Sequence, residues 1–138
     1  MGVGRGGRQE TILIIEDEAP IRAFVSRVLE LEGYRVLQAA EGGEGLRLVK
    51  ESKVSLVLLD LRLPDYDGWA ILEKLKSDPE LVSIPVVMFT ASAAESARNH
   101  ALAAGVAEYL VKPLSAAGLR RTVNAILRGE GRHRNARE

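Results

Sequence analysis

Val54-Ser55-Leu56-Val57-Leu58-Leu59 runs straight into Asp60. The run lacks the polar alternation of a half-exposed strand, so it reads as a strand buried on both faces. A carboxylate at the end of such a strand is costly unless it has work there. The arrangement recurs. Ile12-Leu13-Ile14-Ile15 runs into Glu16-Asp17-Glu18, Pro85-Val86-Val87-Met88-Phe89 into Thr90, and Val106-Ala107-Glu108-Tyr109-Leu110-Val111 into Lys112-Pro113. If these runs are neighbouring parallel strands, acids, a hydroxyl and one lysine converge on a single edge of the sheet. That set suits a divalent cation and a phosphoryl group.

Strand and helix patterns alternate five times. The spacing predicts strands at about 11–15, 34–38, 54–59, 86–89 and 106–111. The first helix carries Ile21, Phe24, Val25, Val28 and Leu29 at helical spacing, with Pro20 in its first turn and Gly33 ending it. The second runs from near Glu41 to Glu51, with Leu46 and Val49 inward. The third begins near Asp67, carries Ile71, Leu72 and Leu75, and stops at Asp78-Pro79. The fourth covers about 93–104, and the fifth about 115–127, with Leu119, Val123, Ile126 and Leu127 inward. Alternating strands and helices joined by short loops argue for a parallel sheet wrapped by helices, an α/β doubly wound fold. The flavodoxin-like (βα)5 arrangement, with strand order 2-1-3-4-5, puts its ligand site at the carboxyl ends of strands one and three. Glu16, Asp17 and Asp60 would sit there.

A chain of 138 residues fits one domain. Hydrophobic content of 46% and charged content of 28% suit a soluble globular protein, and no apolar stretch approaches the roughly 18 residues of a membrane span. The absence of cysteine excludes disulfides and thiolate metal sites, and with no secretory signal the expectation is a cytoplasmic protein. The zero net charge conceals a split: +1 in residues 1–10, −3 in 11–127 and +2 in 128–138. Residues 1–10 and 129–138 are expected to be flexible polar tails flanking a domain at 11–128. So few tail charges more often keep a segment solvated than hold nucleic acid, so no nucleic-acid or membrane contact is expected. Gly2, Gly4 and Gly7 match a dinucleotide-binding pattern by chance, because they precede the first strand instead of following it. His100 and His133 have no partner at metal-ligand spacing, and Trp69 reads as a packing residue.

Three clustered acids need counter-charge. Two unit charges about 4 Å apart interact by roughly 4 kcal/mol at an effective dielectric of 20. Lys112, the only lysine beyond position 76, offsets one charge, and a Mg2+ ion would offset two more through oxygen ligands. Asp60 has a carboxylate able to act as a nucleophile. Lys112 is a point charge suited to a phosphoryl oxygen, and Thr90 offers a hydroxyl. Asp65 and Asp67 are better explained as a turn former and a helix cap.

These residues resemble the receiver domain of bacterial two-component response regulators over about Thr11 to Arg128. The motifs are Ile-Ile-Glu-Asp-Glu at 14–18, Leu-Leu-Asp-Leu-Arg-Leu-Pro-Asp-Tyr-Asp-Gly at 58–68, Met-Phe-Thr-Ala at 88–91 and Tyr-Leu-Val-Lys-Pro-Leu at 109–114. Each alone is modest; four in order, each at a strand end, are specific. The resemblance implies that Asp60 accepts a phosphoryl group from a histidine kinase or phosphotransfer protein. It implies Mg2+ ligation by Asp17, Asp60 and the Arg62 backbone carbonyl, with Glu16 acting through water. Thr90, the Ala91 N–H and Lys112 would hold the phosphoryl oxygens. Tyr109 matches an aromatic position that turns inward on activation. A downstream effector would bind the face of helix four, strand five and helix five, and self-association into a homodimer is left open. The implied protein is a switch, with self-phosphorylation and self-dephosphorylation its only chemistry.

The chain departs from that pattern at Glu16, where aspartate is more usual, and carries a bulky cation at Arg62, where side chains govern water access. No output domain follows the fifth helix, so the expectation is a stand-alone receiver or one cut from a larger regulator. An aspartyl phosphatase of the haloacid dehalogenase class would need Asp-x-Asp-x-Thr after strand one, but Glu18, Ala19 and Pro20 follow Asp17. A small flavoprotein would need a phosphate cradle where Glu16-Asp17-Glu18 repel one. A degenerate receiver acting as a docking module is the remaining alternative, against which stand Asp60, Thr90 and Lys112.

Overall fold

The computed structural model describes residues 9–129. Five strands alternate with five helices: β1 (Thr11–Ile15), α1 (Ala19–Leu31), β2 (Arg35–Ala39), α2 (Gly42–Glu51), β3 (Leu56–Asp60), α3 (Gly68–Ser77), β4 (Val86–Thr90), α4 (Glu95–Ala103), β5 (Glu108–Val111) and α5 (Ala116–Arg128). The strands form one parallel sheet in the order β2-β1-β3-β4-β5, as the sequence predicts.

The apolar runs lack alternation because helices cover both faces of the sheet. On one face Leu13, Ile15, Val57, Leu59, Val86 and Met88 pack with Val49, Ile71, Leu72 and Leu75 from α2 and α3. On the other, Ile12, Ile14, Leu56, Leu58, Val87 and Phe89 pack with Val25 and Leu29 from α1 and Leu119 and Val123 from α5. Successive strand residues point to opposite faces, so each run supplies both cores. Ile15 pairs with Leu59, Asp60 with Phe89, and Thr90 with Val111, which lines up the carboxyl ends of four strands.

Local chemistry sets the helix ends. Pro20 sits at the start of α1. The Asp67 carboxylate accepts from the Trp69 and Ala70 N–H groups and caps α3. Ser115 caps α5 by accepting from the Gly118 N–H at 2.9 Å. The Lys112–Pro113 peptide is cis.

Some expectations differ from the structure. Phe24 is 42% exposed, not part of the α1 core stripe. At about 100° per residue it lies at the margin of the arc centred on Val25, Val28 and Leu29, beside exposed Leu31 seven positions on. Gln9 and Glu10, expected in a tail, are anchored: the Arg35 N–H donates to the Glu10 carbonyl at 2.9 Å, and the Gln9 amide donates to the Gly33 carbonyl at 3.2 Å. Gly129, also placed in a tail, closes α5 in the left-handed conformation at φ 75°. Residues 1–8 and 130–138, the remainder of the expected tails, lie outside the described residues.

Candidate functional site

The aligned strand ends place Glu16, Asp60 and Thr90 at one edge, all buried. Lys112, just past β5, reaches across it. Its ammonium donates to Glu16 Oε1 at 2.8 Å and to Asp60 Oδ2 at 3.3 Å, with Glu18 Oε2 at 4.0 Å. The expected convergence of acids and one lysine is therefore present, and Lys112 binds Glu16 at shorter range than Asp60. The lysine also lies 5.2 Å from the centre of the Phe89 ring.

Glu16 is held from several directions. Its second oxygen accepts from the Glu18 N–H at 2.8 Å, its own N–H donates to the Ala39 carbonyl at 3.0 Å, and its carbonyl accepts from Arg22 at 2.7 Å. Burial pushes the Glu16 carboxyl above its ordinary range, against the pull of Lys112 and the Glu18 N–H, and the Asp60 charge adds to the rise. For Lys112, burial acts to lower the pKa. The Glu16 hydrogen bond and the Asp60 and Glu16 charges outweigh it and leave Lys112 above its ordinary value. The asymmetry is one of stoichiometry: the lysine has two buried acids, whereas those acids share one lysine.

Asp17 is exposed, and its carboxylate, with those of Glu16 and Glu18, forms a cluster whose oxygens lie within 4.8 Å of one another. Asp60 is outside that cluster and is linked to Glu16 through Lys112. The Arg62 side chain is exposed, and the Arg62 N–H donates to Asp60 Oδ1 at 3.4 Å. Ala91 is exposed. Thr90 Oγ1 accepts from the Ser92 N–H at 3.3 Å. Tyr109 lies inward, 1% exposed, and its hydroxyl donates to the Ser92 carbonyl at 2.9 Å.

An oxygen-only donor set, two buried carboxylates and a single ammonium leave negative charge uncompensated, which fits a hard divalent cation. Glu18 and Arg22 join the site without being expected there from the sequence pattern. Glu18 had a signal, being the third acid of its run. Arg22 had none, because its partner is a backbone carbonyl and only the entry angle of α1 brings the two together.

A doubly wound parallel sheet with acids, hydroxyl and lysine at its carboxyl edge defines a flavodoxin-like module with a phosphoryl-compatible pocket. Residues 12–124 match the response regulator receiver domain, and the chain belongs to that family. The phosphate regulon transcriptional regulatory protein PhoB of Pseudomonas aeruginosa is 37% identical over 122 residues, which are 88% of this chain and 53% of PhoB. The chain thus spans about half the length of that relative. A CheY-like receiver domain protein from Methanospirillum hungatei JF-1 has a TM-score of 0.81 at 30% identity, over 91% of this chain and 98% of that one. The Mn2+-bound form of response regulator Rcp1 has a TM-score of 0.74 at 25% identity, over 84% and 92% of the two chains. Among the described residues no helix is long and apolar enough to cross a membrane.

Proposed function

We propose that this receiver domain, residues 11–128, is a phosphorylation-controlled switch whose phosphoacceptor is Asp60. The observation that carries the reading is Asp60 itself, a carboxylate buried at the end of a central strand, 3.3 Å from the Lys112 ammonium. A carboxylate oxygen of Asp60 attacks the phosphorus of a phosphohistidine on a kinase or phosphotransfer protein. The P–O bond forms as the P–N bond breaks, and the histidine nitrogen leaves with the bonding pair. Phosphoryl transfer asks the protein for positioning and charge neutralisation more than covalent work. Lys112, the Thr90 hydroxyl and the Ala91 N–H hold the transferred oxygens.

Glu16, Asp17, Asp60 and the Arg62 carbonyl would hold Mg2+, with Glu18 adjoining. The ion supplies positive charge against the acids and the incoming phosphoryl group. The cluster of Glu16, Asp17 and Glu18 oxygens and the Mn2+ of Rcp1 support a divalent ion here.

The response passes through Thr90 and Tyr109. Because the Tyr109 ring is already inward and bonded to the Ser92 carbonyl, drawing Thr90 toward a phosphoryl group pulls on that bond through the 90–92 backbone. The change reaches the face of α4, β5 and α5, where effectors bind. The activity is that of a switch and not of a turnover enzyme.

Acetyl phosphate with Mg2+ should add one phosphoryl mass to the protein and none to Asp60→Asn. Equal labelling of both removes the assignment, and labelling of neither leaves a docking module.

A further inference from the structure

The segment leaving Asp60 is a small hairpin. Arg62 bridges antiparallel to Asp67, and the Gly68 N–H donates to the Leu61 carbonyl at 2.7 Å, closing its base. Its tip is held from outside. Asp65 spans to the start of α2, where Oδ1 accepts from the Gly42 N–H at 2.7 Å and Oδ2 from the Gly43 N–H at 2.9 Å. These are two of the donors that a helix leaves unpaired at its start. The residue before them, Glu41, makes no side-chain cap. The Gly43 N–H holds the Asp65 carboxyl below its ordinary range against partial desolvation, with the Gly42 N–H adding to the effect.

Helix α2 in turn is wedged against β1. A Cβ at Gly45 would come within 2.4 Å of the Ile15 side chain, and one at Gly42 within 2.9 Å of Tyr66. Ile15 immediately precedes Glu16. The start of α2 therefore touches the strand that carries the acids on one side and the hairpin that carries Arg62 on the other. Among the described residues, the side-chain hydrogen bonds joining that hairpin to that helix come from Asp65.

We propose that Asp65 is a positioning residue for the pocket: it straps the 62–67 hairpin to α2 and so fixes the Arg62 carbonyl opposite Glu16 and Asp17. It touches no reacting atom. The strap rests on the reading of the pocket as a divalent-cation site, but not on phosphoryl transfer. It accounts for an exposed loop carboxylate that bonds two backbone donors 22 and 23 residues away in addition to the N–H groups of its own turn at Asp65 and Tyr66. A Cβ at Gly43 would meet Asp65 Oδ2 at 3.3 Å, so the residue type there also suits the approach of the carboxylate.

The test is calorimetric titration of the full chain with Mg2+ alone. Residues that orient metal ligands without touching the ion typically change affinity about tenfold or more when removed, so Asp65→Ala should weaken Mg2+ binding by about tenfold. Asp65→Asn, whose amide offers one acceptor where the carboxylate offers two, should fall between. A purely structural cap would lower the thermal midpoint of both variants and leave the Mg2+ dissociation constant unchanged, and that result overturns the proposal. If Asp65→Ala fails to fold, Asp65→Asn decides by the same criterion. Acetyl phosphate labelling, read by mass on the unmutated protein, separates the two readings. Mg2+ binding without labelling defeats the phosphoacceptor assignment and leaves the strap to be judged by its variants. An unmutated protein that binds no Mg2+ overturns the strap.

Discussion

The flank of the pocket built by β1 and β3 is tied down at Glu16 and through the hairpin after β3, whereas the flank built by β4 and β5 leads into a helix with one buried residue. On the first flank Glu16 uses both carboxylate oxygens, its N–H and its carbonyl, and Asp65 pins the hairpin after β3. On the second, α4 buries only Ala101 of its nine residues. Ala97 packs partly buried against the core, and exposed residues add ring contacts: His100 edge-on to Trp69 at 4.4 Å, and Arg98 over Tyr109 at 5.4 Å. Helix α5, next along the chain, is clamped to the end of α1. Asn124 accepts from the Tyr34 hydroxyl and donates to Glu32 at 3.1 Å, and Arg128 lies 5.0 Å from the centre of the Tyr34 ring. A methyl group buries far less apolar area than the roughly 1.5–3 kcal/mol of a buried leucine represents. The difference teaches how one small sheet can hold a reagent-grade geometry and still respond: the binding half is over-determined, and the responding half is held weakly enough to move.

The largest break in this contrast should come from Lys112→Met. It removes the one cation shared by two buried acids, and breaking such a pair costs about 3 kcal/mol or more. Denaturant unfolding without metal should show that loss, and Mg2+ should restore part of it. A loss under about 1 kcal/mol, the range of a surface pair, would mean that the flank is less tightly coupled than its distances imply.

Hydrogen exchange measures the contrast directly. Amides of α4 should exchange through openings well below the global unfolding free energy, and those of α1 and β3 should approach it. Phosphorylation should change residues 90–112 most; a uniform response would erase the distinction between the flanks. Ala101→Gly sharpens it. That change removes the buried methyl of α4 and costs about 1 kcal/mol of helix propensity. It should speed exchange in α4 while leaving Mg2+ affinity unaltered.

The smallest effect concerns pH. Glu16 has a raised carboxyl pKa, so the folded protein holds its proton more strongly than the unfolded chain does. Without metal, stability attributable to Glu16 is lower above its folded pKa and recovers as the pH falls from there toward the ordinary 4.5. The difference in unfolding free energy between the protein and Glu16→Gln should therefore shift in favour of the unmutated protein as the pH is lowered from 7 to 5. A difference independent of pH would show that Lys112 fully offsets burial.

What was legible in the sequence is what local pattern carries. Uninterrupted apolar runs announced strands covered on both faces, helical stripes announced what covers them, and each polar residue closing a run marked an edge. Because parallel strands joined by right-handed crossovers align their carboxyl ends, those facts brought Glu16, Asp60, Thr90 and Lys112 together without coordinates. Tertiary structure alone decided which partner each polar group takes. Asp65 reads as a turn former and also bonds α2; Arg22, which carries no signal in the sequence, holds the Glu16 carbonyl; Lys112 bonds Glu16, 96 residues away, at shorter range than Asp60. Phe24 matches a core stripe but ends at its margin, half in water. A residue type states how many bonds a side chain can make and how much apolar area it offers. Which donor lies within 3 Å, and which side of a helix meets the sheet, depend on the packing angles of elements far apart in the chain, and those are set only when the whole core closes.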